Sequence, residues 1–268
     1  MGRRVAVKTL GGFADPQRRD RFRAEAEAVA QLQHPHIVQL YDFGEAKGVP
    51  YFSLELISGG SLETALESER PGPRKAAEWV ETLARAMHVA HEHNIIHRDL
   101  KPSNVLIGED GSLKISDFGL AKRTDNDSSQ TRAGDIVGTP RFMSPEHAMS
   151  DPAKIGPATD IYSLGAVLYD LLVGEPPFSG VTILETLEKI RVQDAVPIRK
   201  RNAKVHADLD TIALKCLQKE RRYRYATALD LADDLRRYLD GEPVVARPIG
   251  AGERLLRKVR ETRSSARC

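Results

Sequence analysis

An α+β fold with two unequal lobes is what this sequence predicts, and three observations lead there. Short apolar runs of strand length lie in the first 57 residues. After Gly59-Gly60 the pattern changes to long stretches with apolar residues three and four apart, the period of helices packed on a core. Strands first and helices afterwards is the order of a segregated α+β chain, not of an alternating one. The 268 residues fit one such domain with a short tail, and a hydrophobic content of 41% is enough for a substantial core.

The elements follow in order. Val5-Ala6-Val7-Lys8 is an apolar, β-branched run and reads as a strand. Residues 16–33 read as a helix, with Phe22, Ala26, Val29, Ala30 and Gln33 at helical spacing. Ile37–Tyr41 and Tyr51–Ile57 read as two strands, with Gly44, Gly48 and Pro50 as the turn residues between them. Ala76, Val80, Leu83, Met87 and Ala90 form one helix face. Val105–Ile107 and Leu113–Ile115 flank Asp110-Gly111, a two-residue hairpin signal. Residues 121–140, rich in Ser, Thr, Asp and Gly, read as a mobile loop. Ile161, Leu164, Leu168, Leu171 and Leu172 mark an apolar helix stopped by Gly174. Leu209, Ile212, Ala213, Cys216 and Leu217 mark another, with Cys216 as a buried structural thiol. Leu229, Ala232, Leu235 and Leu239 make a last helix ended by Gly241.

Composition narrows the function classes. No apolar run approaches the roughly 18–20 residues a membrane helix needs, and the N-terminus lacks the long apolar stretch of a secretory signal. Cys216 and Cys268 cannot make a disulfide framework, so a reducing cytoplasm is expected. A net charge of +2 does not suggest a nucleic-acid binder. His88, His91 and His93 take three angular positions on their helix and read as a solvated face, not a metal site.

The chemistry is concentrated in two blocks. Residues 97–104 read His-Arg-Asp-Leu-Lys-Pro-Ser-Asn, and Asp117-Phe118-Gly119 begins thirteen residues after Asn104. Transfer of a phosphoryl group to a hydroxyl takes one carboxylate to orient the hydroxyl and accept its proton. It also takes an amide and a second carboxylate to hold Mg²⁺ on the phosphates. Asp99, Asn104 and Asp117 supply these groups in that order.

With these blocks in this order, the chain resembles a bacterial serine/threonine protein kinase of the eukaryotic-like type, over roughly residues 3–240. The resemblance implies a bilobal protein-kinase-like fold with a small, β-rich and incomplete N-lobe at 1–57 and a larger helical C-lobe at 58–240. A basic, juxtamembrane-like tail follows at 241–268. It implies transfer of the ATP γ-phosphate to Ser/Thr hydroxyls of protein substrates, with Mg²⁺ and with autophosphorylation of the activation segment. Lys8 would bind the α- and β-phosphates, steadied by Glu25, with Glu27 as the rival. Asp99 would be the catalytic carboxylate, and Lys101 would reach the γ-phosphate. Asn104 and Asp117 would bind the metal.

Leu54 would guard the back of the adenine pocket, the Glu55 carbonyl and Ile57 amide would bond the adenine edge, and Ala6 and Leu106 would sandwich the ring. His97, Phe118 and Gly119 would be structural. Gly138-Thr139-Pro140 through Ser144-Pro145-Glu146 resembles the end of the activation segment, with Thr139 accompanying Ser/Thr specificity. Glu146 would pair with Arg224, with Arg222 as the weaker candidate. Asp160 would anchor the catalytic-loop backbone. Arg98 would bind a phosphate on the activation segment, with Thr131 the favoured acceptor and Ser129 next among Thr124, Ser128, Ser129 and Thr131.

The family places a glycine-rich loop, G-x-G-x-x-G, on two strands ahead of Val-Ala-Val-Lys. Only seven residues precede Lys8, and none can form that loop. A misassigned start, a fragment or a true loss of the phosphate lid would each give this pattern. The expectation is a poorly active, aggregation-prone form with an unpaired strand edge. A pseudokinase or fragment serving as a binding module is the rival function. A small-molecule phosphotransferase is the other, which the peptide-docking Gly-Thr-Pro…Ser-Pro-Glu segment argues against. The tail sets Arg254, Arg257, Lys258, Arg260, Arg263 and Arg267 against Glu253 and Glu261, and reads as solvated or as a membrane-surface contact.

Overall fold

The computed structural model describes residues 4–9, 26–118 and 140–247. Its first unit is an antiparallel sheet of β1 (Val5–Thr9), β2 (Leu40–Ala46) and β3 (Val49–Glu55), in the order β1-β3-β2. Between β1 and β2, residues 26–30 are helical (α1) and bury Ala26 and Val29 against the core. Side chains alternate across a strand, so one face of β1 carries half-buried Ala6 and Lys8 while Val5, Val7 and Thr9 face outward.

Here the sequence expectations needed correction. Gln33 lies past the helical residues and is exposed, and the buried residue there is Leu32. Ile37 makes only an isolated bridge to Ile115, and the strand begins at Leu40. Gly44 and Pro50 lie inside strands, because the turn is the two residues Lys47-Gly48, with φ of 54° and 77°. Two positive φ values are what a two-residue hairpin needs to match strand twist, and lysine is not a residue that signals them.

The second unit is helical. It contains α2 (Leu62–Ser68), α3 (Pro73–Glu92), α4 (Pro145–Ala148), α5 (Pro157–Val173), α6 (Ile183–Val192), α7 (Ile198–Arg201), α8 (Ala207–Cys216) and α9 (Ala228–Asp240). Every residue of α5 from Thr159 to Leu172 is buried, the signature of a helix packed on all sides. Its crossing with α8 is so close that a Cβ on Gly165 would lie 2.3 Å from that of buried Cys216. Any larger residue at 165 forces these helices apart. Gly174, at φ 95°, ends α5 in the left-handed conformation that side chains disfavour.

Between the catalytic blocks, β4 (Val105–Ile107) pairs with β5 (Leu113–Ile115). The loop joining them spans residues 108–112, longer than the two-residue turn expected, and is closed by the Gly108 N–H donating to Ser112 O at 2.8 Å. This hairpin sets the register of the two blocks, because it brings Asn104 opposite Ser116, the residue before Asp117 in the chain. Among the described residues, no helix is long and apolar enough to cross a membrane.

Candidate active site

The segment of residues 97–104 enters from the end of α3 and is pinned from below. His97 is fully buried, with its ring 4.8 Å from that of Phe118. Its Nε2 is 2.8 Å from the Ser116 carbonyl and its Nδ1 accepts the Asp99 N–H at 3.2 Å. A carbonyl only accepts, so Nε2 carries the proton and the ring is the neutral tautomer. Burial lowers the His97 pKa, against the opposing pull of Asp160. Both ring nitrogens are committed to holding backbone, which suits a structural role and not that of a base.

Asp160, in the first turn of α5, accepts the His97 N–H on Oδ2 and the Arg98 N–H on Oδ1, both at 2.9 Å. Burial pushes its carboxyl up, but hydrogen bonding and charge from His91, then from His97, outweigh that and hold it below the ordinary range. His91 is therefore no solvated residue: its Nε2 lies 2.9 Å from Asp160 Oδ2. The helix wheel of α3 already carried the signal, since His91 lies four residues past buried Met87.

Above this base sit Asp99, Lys101 and Asn104. Asp99 Oδ2 is 3.1 Å from Lys101 Nζ. Asn104 Nδ2 donates to the Asp99 carbonyl at 2.7 Å and to Asp99 Oδ2 at 3.2 Å, which leaves the amide oxygen as the atom it offers elsewhere. Ser116 ties the two blocks, donating from N and Oγ to the Asn104 carbonyl at 2.8 and 3.1 Å. Asp117 has φ 58°, which turns its side chain out of the β5 direction. Its Oδ1 meets Lys8 Nζ of the N-lobe at 2.5 Å. Among the described residues no three His, Cys, Asp or Glu side chains are grouped to hold a metal by themselves. An amide oxygen and one carboxylate fit a hard cation that takes its other ligands from phosphates and water.

The side that carries Ala6 and Leu54 is built by strand pairing. Ala6 and Leu54 are register partners, half-buried on the same face. The Glu55 carboxylate bonds Lys114 Nζ and the Gln39 N–H, so its side chain is engaged within the fold. Past Ile57, the Gly59 N–H donates to Ile107 O at 3.0 Å and the Ile107 N–H to Gly60 O at 2.9 Å. A Cβ on Gly59 would lie 2.4 Å from that Ile107 oxygen, so the linker can lie on β4 only as glycine. The bridge Ser61–Leu106 continues this seam and brings Leu106 beneath it.

Farther down, Arg224 forms a bidentate pair with Glu146 at 2.7 and 2.8 Å. Its other bonds go to the carbonyls of Gln218, Ala158 and Lys219. Burial pushes the Glu146 carboxyl up, but Arg224 more than offsets it, with Thr159 Oγ1 adding a bond at 2.9 Å. Arg222 instead lies over the Tyr223 ring. Glu25, Gly119, Ser129, Thr131 and Thr139 fall outside the described residues, as does the tail from residue 248.

Residues 1–234 match the family model described as the protein kinase domain. Over 249 residues the chain is 39% identical to serine/threonine-protein kinase PknB of Mycobacterium tuberculosis, covering 90% of this chain and 40% of that protein. It is 38% identical over 248 residues to the protein of the same name from Mycobacterium leprae, covering 90% and 40%. A probable serine/threonine-protein kinase of Streptomyces coelicolor is 35% identical over 255 residues, covering 92% and 37%. The chain thus spans about two fifths of the length of the curated relatives it matches.

Proposed function

The chain belongs to the protein kinase family, and from that premise we propose that it transfers the γ-phosphate of ATP to serine or threonine hydroxyls of protein substrates. Kinases of this family work with ATP and Mg²⁺. What carries the reading is the convergence of Asp99, Lys101, Asn104, Asp117 and the N-lobe Lys8 on one cleft. We further divide the chain into a partial N-lobe at 1–57, a C-lobe at 58–240 and a basic tail.

In this reading Ala6, Leu54 and Leu106 enclose the adenine, while the Glu55 carbonyl and Ile57 N–H bond its edge. Lys8 binds the α- and β-phosphates. Asn104 and Asp117 would hold Mg²⁺, which would supply positive charge to the phosphates. Asp99 orients the acceptor hydroxyl and accepts its proton. Lys101, 3.1 Å from Asp99, balances charge on the transferring group.

Calorimetry of ATP binding, with and without Mg²⁺, tests the metal assignment. Mg²⁺ should strengthen binding to the parent chain, and Asp117→Ala should lose that gain. Equal MgATP affinity in both proteins would remove Asp117 from the metal site.

A further inference from the structure

Past α9 the chain turns back on itself. Gly241, at φ 75°, ends the helix, and the Glu242 N–H donates to Arg237 O at 2.8 Å. Three residues on, the Val245 N–H donates to Asp234 Oδ1 at 2.5 Å and the Ala246 N–H to Asp234 Oδ2 at 2.9 Å. Asp234 lies six residues before the end of α9, about 9 Å back along its axis, so residues 242–247 run back over the helix as a strap. Val244 is half-buried against the core, Ala246 is buried, and Val245 faces water. The strap lies past the residues 1–234 that match the protein kinase domain.

Asp234 is only 1% exposed, and its Oδ2 takes a third donor, the Tyr225 hydroxyl at 2.6 Å. Lys215 of α8 lies over the Tyr225 ring, 4.0 Å from its centroid. The backbone at Arg224 is extended, and successive side chains of an extended chain point to opposite sides. Arg224 therefore reaches Glu146 in α4 while Tyr225 reaches Asp234 in α9. The dipeptide is held between two buried carboxylates, and the strap supplies two of the three donors to one of them. A buried carboxylate short of donors is costly, so release of the strap drives Asp234 toward water and takes the support from Tyr225.

We propose that residues 242–247 are a control strap: seated on Asp234 they brace Tyr225, and with it Arg224 on Glu146, and released they loosen the segment that leads to α4. The inference rests on the kinase reading for its effect on substrate, though not for its geometry.

The test compares the 268-residue chain with its Val245→Pro, Val245→Ala and Tyr225→Phe variants. Proline removes the N–H that Asp234 accepts, whereas alanine keeps it and trims only an exposed side chain. In Val245→Pro, hydrogen exchange of the Ala246 amide should quicken about tenfold, the effect of one hydrogen bond. The Tyr223, Arg224, Ala148 and Met149 amides, bonded to backbone carbonyls on either side of the Arg224–Glu146 pair, should quicken with it. The Ser116 amide should keep its parental rate, and Val245→Ala should exchange as the parent does throughout. Tyr225→Phe removes the donor on the other side and should quicken the Val245 and Ala246 amides, because coupling between two sites is reciprocal. With a protein substrate, Val245→Pro should raise KM for that substrate about threefold and leave KM for ATP unchanged. Faster exchange confined to residues 242–247 would overturn the inference, since the strap would then brace nothing. Equal quickening at Ser116, or in Val245→Ala, would overturn it too, the first as general loosening and the second as a side-chain effect. If Val245→Pro does not fold, Tyr225→Phe decides, and parental exchange at Val245 and Ala246 would then refute the coupling. A parent that transfers no phosphate would sink the kinase reading while the exchange data still decided this one.

Discussion

Lys8 and Asp117 meet across the cleft at 2.5 Å with side chains 40% and 37% exposed, whereas Arg224 and Glu146 meet at 2.7 Å with side chains 0% and 2% exposed. The two ion pairs are similar in length and differ in almost everything else. In the cleft, water and salt screen the charges, and such pairs contribute only about 0–1 kcal/mol. Lys8 and Asp117 can therefore exchange each other for phosphate and cation at little cost. In the C-lobe both charges have left water, and each is satisfied several times over by fixed neighbours. Groups proposed to handle substrate are loosely held, and groups that hold the loop and the segment leading to α4 are saturated.

The largest effect should come from breaking the saturated pair. Arg224→Met strands a buried carboxylate, a change that typically costs about 3–5 kcal/mol. For a domain of this size that is a fall in melting temperature of roughly 6–20 °C. Lys8→Met should change stability by less than about 1 kcal/mol. Thermal melts of both variants decide the matter, and similar losses would erase the contrast.

A smaller effect separates buried from exposed groups by pH. The His97 pKa is lowered from 6.5 by burial, so the unfolded chain takes up a proton at a pH where the folded chain still resists it. Stability is therefore full above pH 6.5 and declines as pH falls toward the lowered value. His34, also lowered by burial, acts in the same direction. Glu146 and Asp160, held below 4.5 and 3.8, add their losses only in stronger acid. Melting temperature should decline between pH 6.5 and 4.5, and His97→Gln should flatten part of that decline. A flat profile over that interval would contradict the tautomer and burial assigned to His97.

The same division explains what could be read from sequence. Asp99, Asn104 and Asp117 stand out as candidates because short motifs carry them. The helices α3, α8 and α9 are legible because their buried faces repeat at helical period, and α5, buried on all sides, because its large apolar residues do. The helix α6 buries only Thr186 and Ile190 and leaves Leu184 exposed, so it has little apolar stripe to find. The start of β2 was misplaced because Ile37 is buried by the hairpin of the other lobe, not by its own sheet. The three angular positions of His88, His91 and His93 suggest a solvated face. The place of His91 four residues past buried Met87 marks its burial, whereas its partner Asp160, 69 residues away in the chain, is not marked at all. Charge pairs that close over long sequence separations leave no local pattern.

The central claim is that Asp99 performs the transfer while the buried framework only positions it. The direct measurement is transfer of labelled γ-phosphate to serine or threonine of a protein substrate by the parent and Asp99→Asn, each with a thermal melt. The account predicts a fall of at least about 100-fold in transfer, the low end of general-base contributions, with the melt nearly unchanged. Undiminished transfer by Asp99→Asn would contradict it.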